Sequence, residues 1–263
     1  MIRTARAPVL SLAALAWTCM SPPAPRAAPQ AAAGAAQVPA AAGAAQVPAA
    51  AAPVPVKAVS LSEEPSHRYL IDNAYIDMAN LVLEPKSATR LHHHRHDLVT
   101  VTVGAGQISD EVAGKPPVVV KLRDGQVRFT EAGMSHVVRN LGSAPFREIT
   151  IELRHDDAAH KATEPKWEEA SGTKTSRGAR REILFVKDGA RVSSLTLPPG
   201  AAEPPRDNPT AELLVALTDL DVGSGDASAK LKAGEVQWRG GRYTGRLSNN
   251  GKQPVKLVLL EFK

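Results

Sequence analysis

Short runs of alternating apolar and polar residues fill most of the chain beyond its first sixty positions. Val99–Val103, Val118–Leu122, Val127–Phe129, Glu148–Leu153 and Val255–Phe262 each read as strands, bounded by Gly, Pro, Asn and Asp. Almost nothing carries a sustained helical period. Many short strands at regular spacing predict an all-β chain built as a sandwich or barrel.

The apolar pattern also repeats. At an offset of 114 residues Leu70 pairs with Leu184, Met78 with Val192, Leu81 with Leu195 and Leu83 with Leu197. Val99, Val101 and Val103 pair with Leu213, Val215 and Leu217. Further on the offset is 109, matching Gly125 with Gly234, Asn140 with Asn249, Pro145 with Pro254 and Glu152 with Glu261. The drop of five predicts one loop shorter by that much in the second copy. The expected plan is a first domain at 58–154, a charged linker at 155–181 with a turn of helix near Lys166–Ala170, and a second domain at 182–263.

The first 57 residues follow different rules. Arg3 and Arg6 precede a short apolar run ending near Trp17, and small residues follow around Ala24–Ala28. This reads as an export signal over 1–28, placing the protein in the periplasm or outside the cell. Ala16-Trp17-Thr18-Cys19 resembles a loose lipobox, so lipid anchoring at Cys19 stays open beside simple cleavage. Residues 29–57 read as a disordered Ala/Pro-rich tether, in which Ala-Ala-Gly-Ala-Ala-Gln-Val-Pro occurs twice. No stretch reaches the roughly 20 apolar residues of a transmembrane helix.

Composition changes meaning once the leader is set aside. The formal charge is +5, but residues 1–57 hold four basic residues and no acidic ones. The remainder is nearly neutral, which removes the main support for nucleic-acid binding. The only cysteine is Cys19, so disulfides, thiol nucleophiles and Cys-ligated zinc are excluded from the folded part.

Candidate chemistry lies in the histidines. All eight precede residue 161, and the second copy has none. His92 and His94 sit two apart, so on a strand they share a face while His93 points away. Lys86-x5-His92-x-His94-x4-Val99-x6-Gly106 resembles the first cupin motif, G-x5-H-x-H-x3,4-E-x6-G. Gly125-x5-Glu131-x-Gly133-x2-His136-x3-Asn140 is similar to the second, G-x5-P-x-G-x2-H-x3-N. The resemblance covers about residues 68–153, and the repeat extends it to 182–263. It implies two tandem jelly-roll barrels, a bicupin, with His92, His94 and His136 as metal ligands inside the first. Cupins often pair, so it also implies a homodimer.

Val99 stands where the family places a metal-binding Glu, and Glu131 falls in a turn. His96, on the face of His92 and His94 in a regular strand, and Asp97, which would need a bulge, are candidates for an additional ligand or supporting role. The preferred reading is a three-histidine site with water in the open positions. Neutral imidazoles suit Fe, Ni, Cu or Zn. Without the carboxylate the site is one negative charge short, which leaves room for an anionic ligand. His67 reads as a surface residue before the first strand, and His155 and His160 as solvated linker residues. Tyr69, Tyr75, Phe129 and Trp238 read as core or barrel lining. In the second copy Arg206, Asn208 and Gly245 stand at the three ligand positions, so that domain holds no metal.

The function expected is a metal-dependent oxygenase or isomerase acting on a small polar molecule, with no catalytic residue assigned. The alternative is a non-enzymatic protein that binds or senses a metal or small ligand. A storage-like role is disfavoured by the retained histidines.

Overall fold

The computed structural model describes residues 57–154, 172–176, 178–187, 189–208, 211–224, 227–241 and 243–263. The expected signal at 1–28, Cys19, nearly all of the tether, His155, His160 and the turn at Lys166–Ala170 lie outside the described residues.

The first half holds strands β1 Val59–Ser60, β2 His67–Asp72, β3 Ile76–Leu83, β4 His92–His93, β5 Asp97–Thr102, β6 Gly106–Val112, β7 Val118–Leu122, β8 Val127–Thr130, β9 Ser135–Asn140 and β10 Phe146–Leu153. They form two five-stranded sheets, ordered β1-β4-β9-β6-β7 and β2-β3-β10-β5-β8. The second half holds β11 Gly172–Ser176, β12 Ala179–Lys187, β13 Ala190–Leu197, β14 Arg206–Asn208, β15 Glu212–Ala216, β16 Leu220–Ser224, β17 Ala227–Leu231, β18 Val236–Arg239, β19 Tyr243–Gly245, β20 Ser248–Asn249 and β21 Val255–Phe262. β11 and the start of β12 lie within the span expected as linker, so the second half is already in its sheet at Gly172.

The repeat is a register identity. Ile76 pairs with Leu153 on β3–β10, and their counterparts Ala190 and Phe262 pair on β13–β21. Val99 lies opposite Phe129 as Leu213 lies opposite Trp238. The five-residue deletion falls in the β6–β7 hairpin, because Ile108↔Val120 keeps its counterpart Val222↔Ala229. Asn140 and Asn249 do the same local work. The Asn140 amide donates to the carbonyls of Leu83 and Ala144 and its oxygen accepts from the Gly142 N–H; Asn249 repeats this with Leu197, Gln253 and Gly251. The motif asparagine is therefore a clamp on the turn between the last two strands. Gly106 is required by packing, since a Cβ there would stand 2.6 Å from the Phe146 ring.

Among the described residues, three apolar cores organise these strands. The largest is shared by the two halves: Ile76, Met78, Val99, Val101, Ile149 and Ile151 pack with Val192, Leu213, Val215, Val258 and Leu260. Tyr75, Phe129 and Trp238 lie against it. The interior of the second barrel is filled by Leu195, Leu197, Leu214, Leu247, Leu257 and Leu259. The interior of the first has a smaller apolar cluster, Leu81, Leu83, Ile108, Leu122, Val138 and Phe146, and leaves the rest of its space to polar residues. Strands β5, β10, β15 and β21 thus have both faces buried. Each fully buried aliphatic side chain contributes about 1.5–3 kcal/mol.

Candidate metal centre

His92 lies directly opposite His136 in the antiparallel β4–β9 pair. The chain continues the pairing past β4, because the His94 N–H donates to the Met134 carbonyl at 2.8 Å. Alternation therefore turns His92 and His94 inward, where both are fully buried, and leaves His93 outside with Nδ1 on the Ser135 hydroxyl. The three rings of His92, His94 and His136 stand 4.6–5.1 Å apart between centroids. One ring nitrogen from each lies within 4.8 Å of the others.

Hydrogen bonding sets the tautomers. His94 Nδ1 bonds Glu152 Oε1 at 2.8 Å, and His136 Nδ1 bonds Asp110 Oδ1 at 2.8 Å. His92 Nδ1 bonds the Arg90 carbonyl at 3.0 Å. Carboxylate and carbonyl oxygens only accept, so all three Nδ1 atoms carry a proton, and in the neutral form that binds metals each ring presents a bare lone pair at Nε2. Two of those lone pairs, on His94 and His136, face each other at 3.2 Å. The third, His92 Nε2, is buried with no hydrogen-bond partner. Converging lone pairs at this distance repel unless a cation lies between them, and so the residues fit a metal.

The electrostatics agree. Burial pushes His92 down to about 3, and the neighbouring His136 adds to the shift. Burial alone would raise the Asp110 carboxyl, but its hydrogen bond to His136 outweighs it and holds Asp110 below its usual value. Asp110 and Glu152 stand one bond behind the ligands. The negative charge that a ligating Glu would bring is thus present in the supporting layer.

The position facing the site where the family has Glu is Leu98. Val99, singled out from the motif spacing, is fully buried in the shared core. Leu98 and Thr100 line the cavity between the histidines. Asp97 is held elsewhere: its Oδ1 accepts from the Ala132 N–H at 2.8 Å and its Oδ2 lies 3.7 Å from Lys187 Nζ. His96 stands with Asp77 and Glu152 in a second group, which shares with the triad only the carboxylate that holds His94. Neither His96 nor Asp97 joins the three-histidine group; Glu131 is exposed.

His67 is the residue that sequence reasoning missed. It opens β2, is buried, and its ring lies 4.9 Å from that of His92. Its Nδ1 donates to Glu64 Oε2 at 2.9 Å. A readable sign was Glu64 three positions earlier, a spacing that lets a carboxylate reach back to an imidazole.

The cavity is small, about 20 Å³, and is walled also by Thr130, Thr150, Met134 and the Arg128–Glu148 ion pair. Thr130 and Met134 also line a wider surface hollow of about 520 Å³ beside Gly133 and Ser135. In the second half Arg206 lies opposite Gly245, the same register as His92 opposite His136, and the interior beneath is leucine.

No family model matches the chain, and no curated protein matches it. Solved structures do. A salicylate 1,2-dioxygenase variant from Pseudoaminobacter salicylatoxidans, in complex with gentisate, aligns over 76% of this chain and 74% of its own with a TM-score of 0.56 at 12% identity. An oxalate decarboxylase formate complex from Lactobacillus farciminis aligns over 79% and 87% with a TM-score of 0.53 at 13% identity. AerE from Microcystis aeruginosa aligns over 76% and 98% with a TM-score of 0.51 at 14% identity. At these identities the likeness is one of fold. The chain is a cupin-fold protein, with the jelly roll present in both halves.

Proposed function

We propose that the first barrel binds a divalent transition metal through His92, His94 and His136 and acts on a small polar molecule as an oxygenase or isomerase. The observation that carries this is the convergence of three bare Nε2 lone pairs, each ring fixed by a hydrogen bond at Nδ1. Bound there, the metal supplies Lewis acidity or redox chemistry at positions the protein leaves open. The chain's own residues do the rest. Glu152 and Asp110 orient two imidazoles, Leu98 and Met134 keep the inner wall dry, and Thr100, Thr130 and Arg128 offer hydrogen bonds to an occupant. The solved neighbours include a dioxygenase and a decarboxylase, which supports enzymatic use of such a barrel. The leader adds export to the periplasm or beyond as part of the proposal.

The small inner cavity favours a second reading, a non-enzymatic protein that holds a metal or a very small ligand. Metal analysis of untagged protein, with His92→Ala and His136→Ala as controls, tests the site. Wild-type protein carrying no more metal than the variants refutes it. Oxygen consumption by iron- or nickel-loaded protein over a substrate panel separates the readings: turnover supports the enzyme, and tight binding without turnover supports the carrier.

A further inference from the structure

We propose that the Met134 side chain is a door between the metal-facing cavity and the surface hollow beside it, and that it selects by size what reaches the metal. The inference rests on the metal reading above, and it makes the hollow the seat of any organic substrate.

The two spaces differ in kind. A buried water needs about 10–15 Å³, so the inner cavity, at about 20 Å³, has room for a water-sized occupant beside the histidines and for no organic molecule. The hollow, at about 520 Å³, falls in the range of small-molecule sites, about 300–1,000 Å³. Thr130 and Met134 line both spaces. They are the wall across which a molecule in the hollow meets the metal.

Local structure aims Met134 at this wall. The His94 N–H donates to the Met134 carbonyl at 2.8 Å, and the His94 carbonyl accepts from the Gly133 N–H at 2.9 Å. With Gly133 at φ 89°, this is a G1 bulge, in which one extra glycine precedes a residue that keeps register. Met134 is therefore the cross-strand neighbour of His94, and opposed residues of an antiparallel pair put their side chains on one face. That face is the inner one, because the buried His94 and His136 lie on it. The second half repeats the register at the equivalent position, where Asn208 lies opposite Tyr243.

The backbone on both sides of Met134 is held, so the moving part is the side chain. Asp97 Oδ1 accepts from the Ala132 N–H at 2.8 Å, and the Ser135 carbonyl accepts from the Ala113 N–H at 2.8 Å. Thr130, opposite Leu98 in β8–β5, is short, β-branched and stiff at its first torsion. Met134 is half-buried, unbranched and rotates about three bonds, so it changes rotamer without disturbing the strands. In one rotamer it separates the metal from the hollow, and in another it joins the two.

The test uses cobalt-loaded full-length protein and two anionic probes, azide, a thin rod, and benzoate, which carries a ring. Association rates are read by stopped flow from the cobalt absorption spectrum in wild type, Met134→Ala, Met134→Leu and Thr130→Ala. With the open rotamer populated at about 10% or less, Met134→Ala should speed benzoate about tenfold or more while azide changes less than about threefold. Met134→Leu, of like volume but branched, should keep benzoate at or below the wild-type rate. Thr130→Ala thins the same wall but leaves the door, and should speed benzoate far less than Met134→Ala does. An equal change for both probes, an unchanged benzoate rate in Met134→Ala, or benzoate binding to neither protein overturns the proposal. So does either Met134→Leu or Thr130→Ala matching the gain of Met134→Ala, since the barrier would then be the thickness of the wall. Loss of cobalt from Met134→Ala overturns it too, and would assign Met134 to supporting the metal. Wild type binding no more cobalt than His92→Ala would refute the underlying metal reading instead, and the proposal with it.

Discussion

Replacing Leu98 by Glu would put back the carboxylate that the site lacks, and replacing its neighbour Val99 would not. The two residues are adjacent in β5 and both buried, at 2% and 0% exposure, but they face opposite ways. Leu98 lines the histidine cavity, and Val99 packs in the core between the two halves. In metal-free protein Leu98→Glu gives up a buried leucine, about 1.5–3 kcal/mol. It also brings a carboxyl into a site already ringed by Asp110 and Glu152, for a total loss of about 3–5 kcal/mol. With metal the sign of the electrostatic part reverses. If the new carboxylate tightens the metal tenfold, the stabilisation at a free metal concentration of 100 wild-type dissociation constants rises from about 2.7 to about 4.1 kcal/mol. Val99→Glu should cost at least as much as Leu98→Glu and recover nothing on adding metal. Urea unfolding with chelator and with buffered metal, together with competition titration of the metal, measures both quantities. Leu98→Glu failing to tighten the metal, or Val99→Glu tightening it, would refute the facing of β5 and the placement of the site.

Two further outcomes are expected. Metal-free protein should lose stability on acidification: His92 titrates near 3 in the fold, well below the usual 6.5, so between those values the unfolded chain holds a proton that the folded chain refuses. The slope from His92 is about 1.4 kcal/mol per pH unit, lost as pH falls from 6.5. Glu64, ionised in the fold down to about 2 against an ordinary 4.5, adds a second loss below 4.5. Urea midpoints from pH 7 to 4 should show the first slope in wild type and not in His92→Asn. In the second barrel Arg181→Met leaves the carboxylates of Glu203 and Glu261 buried without that guanidinium, although Arg191 still reaches Glu261 at 2.8 Å. Denaturation should show a loss of about 3 kcal/mol. A loss below 1 kcal/mol would mean that the guanidinium is not what neutralises this interior.

Alternation and spacing made much of the molecule readable. The strands at Val99–Val103, Glu148–Leu153 and Val255–Phe262 fall within or close to β5, β10 and β21. The offset pairs predicted from sequence recur as hydrogen-bonded partners in both halves. His92, His94 and His136 were legible because two residues two apart share a strand face and the second motif fixes the third. His67 was not, because its partner in space, His92, lies far along the chain, and the one local sign, Glu64 three positions earlier, does not say that the ring turns inward. The supports of the site were equally hidden: Glu152 is 58 residues from His94, and Asp110 is 26 from His136.

By itself, then, the sequence determined an all-β chain, its internal repeat, a histidine triad in the first half and the loss of that triad in the second. Tertiary structure alone decided which side of β5 looks into the barrel. Both sides of that strand are buried, one against the histidines and one against the second half, so hydrophobicity could not separate Leu98 from Val99. It also decided the tautomers, since the oxygens that hold each Nδ1 come from other strands or from the backbone. A periodic pattern records burial along one strand. A site is made where several strands meet, and that meeting is set by the packing of the whole barrel.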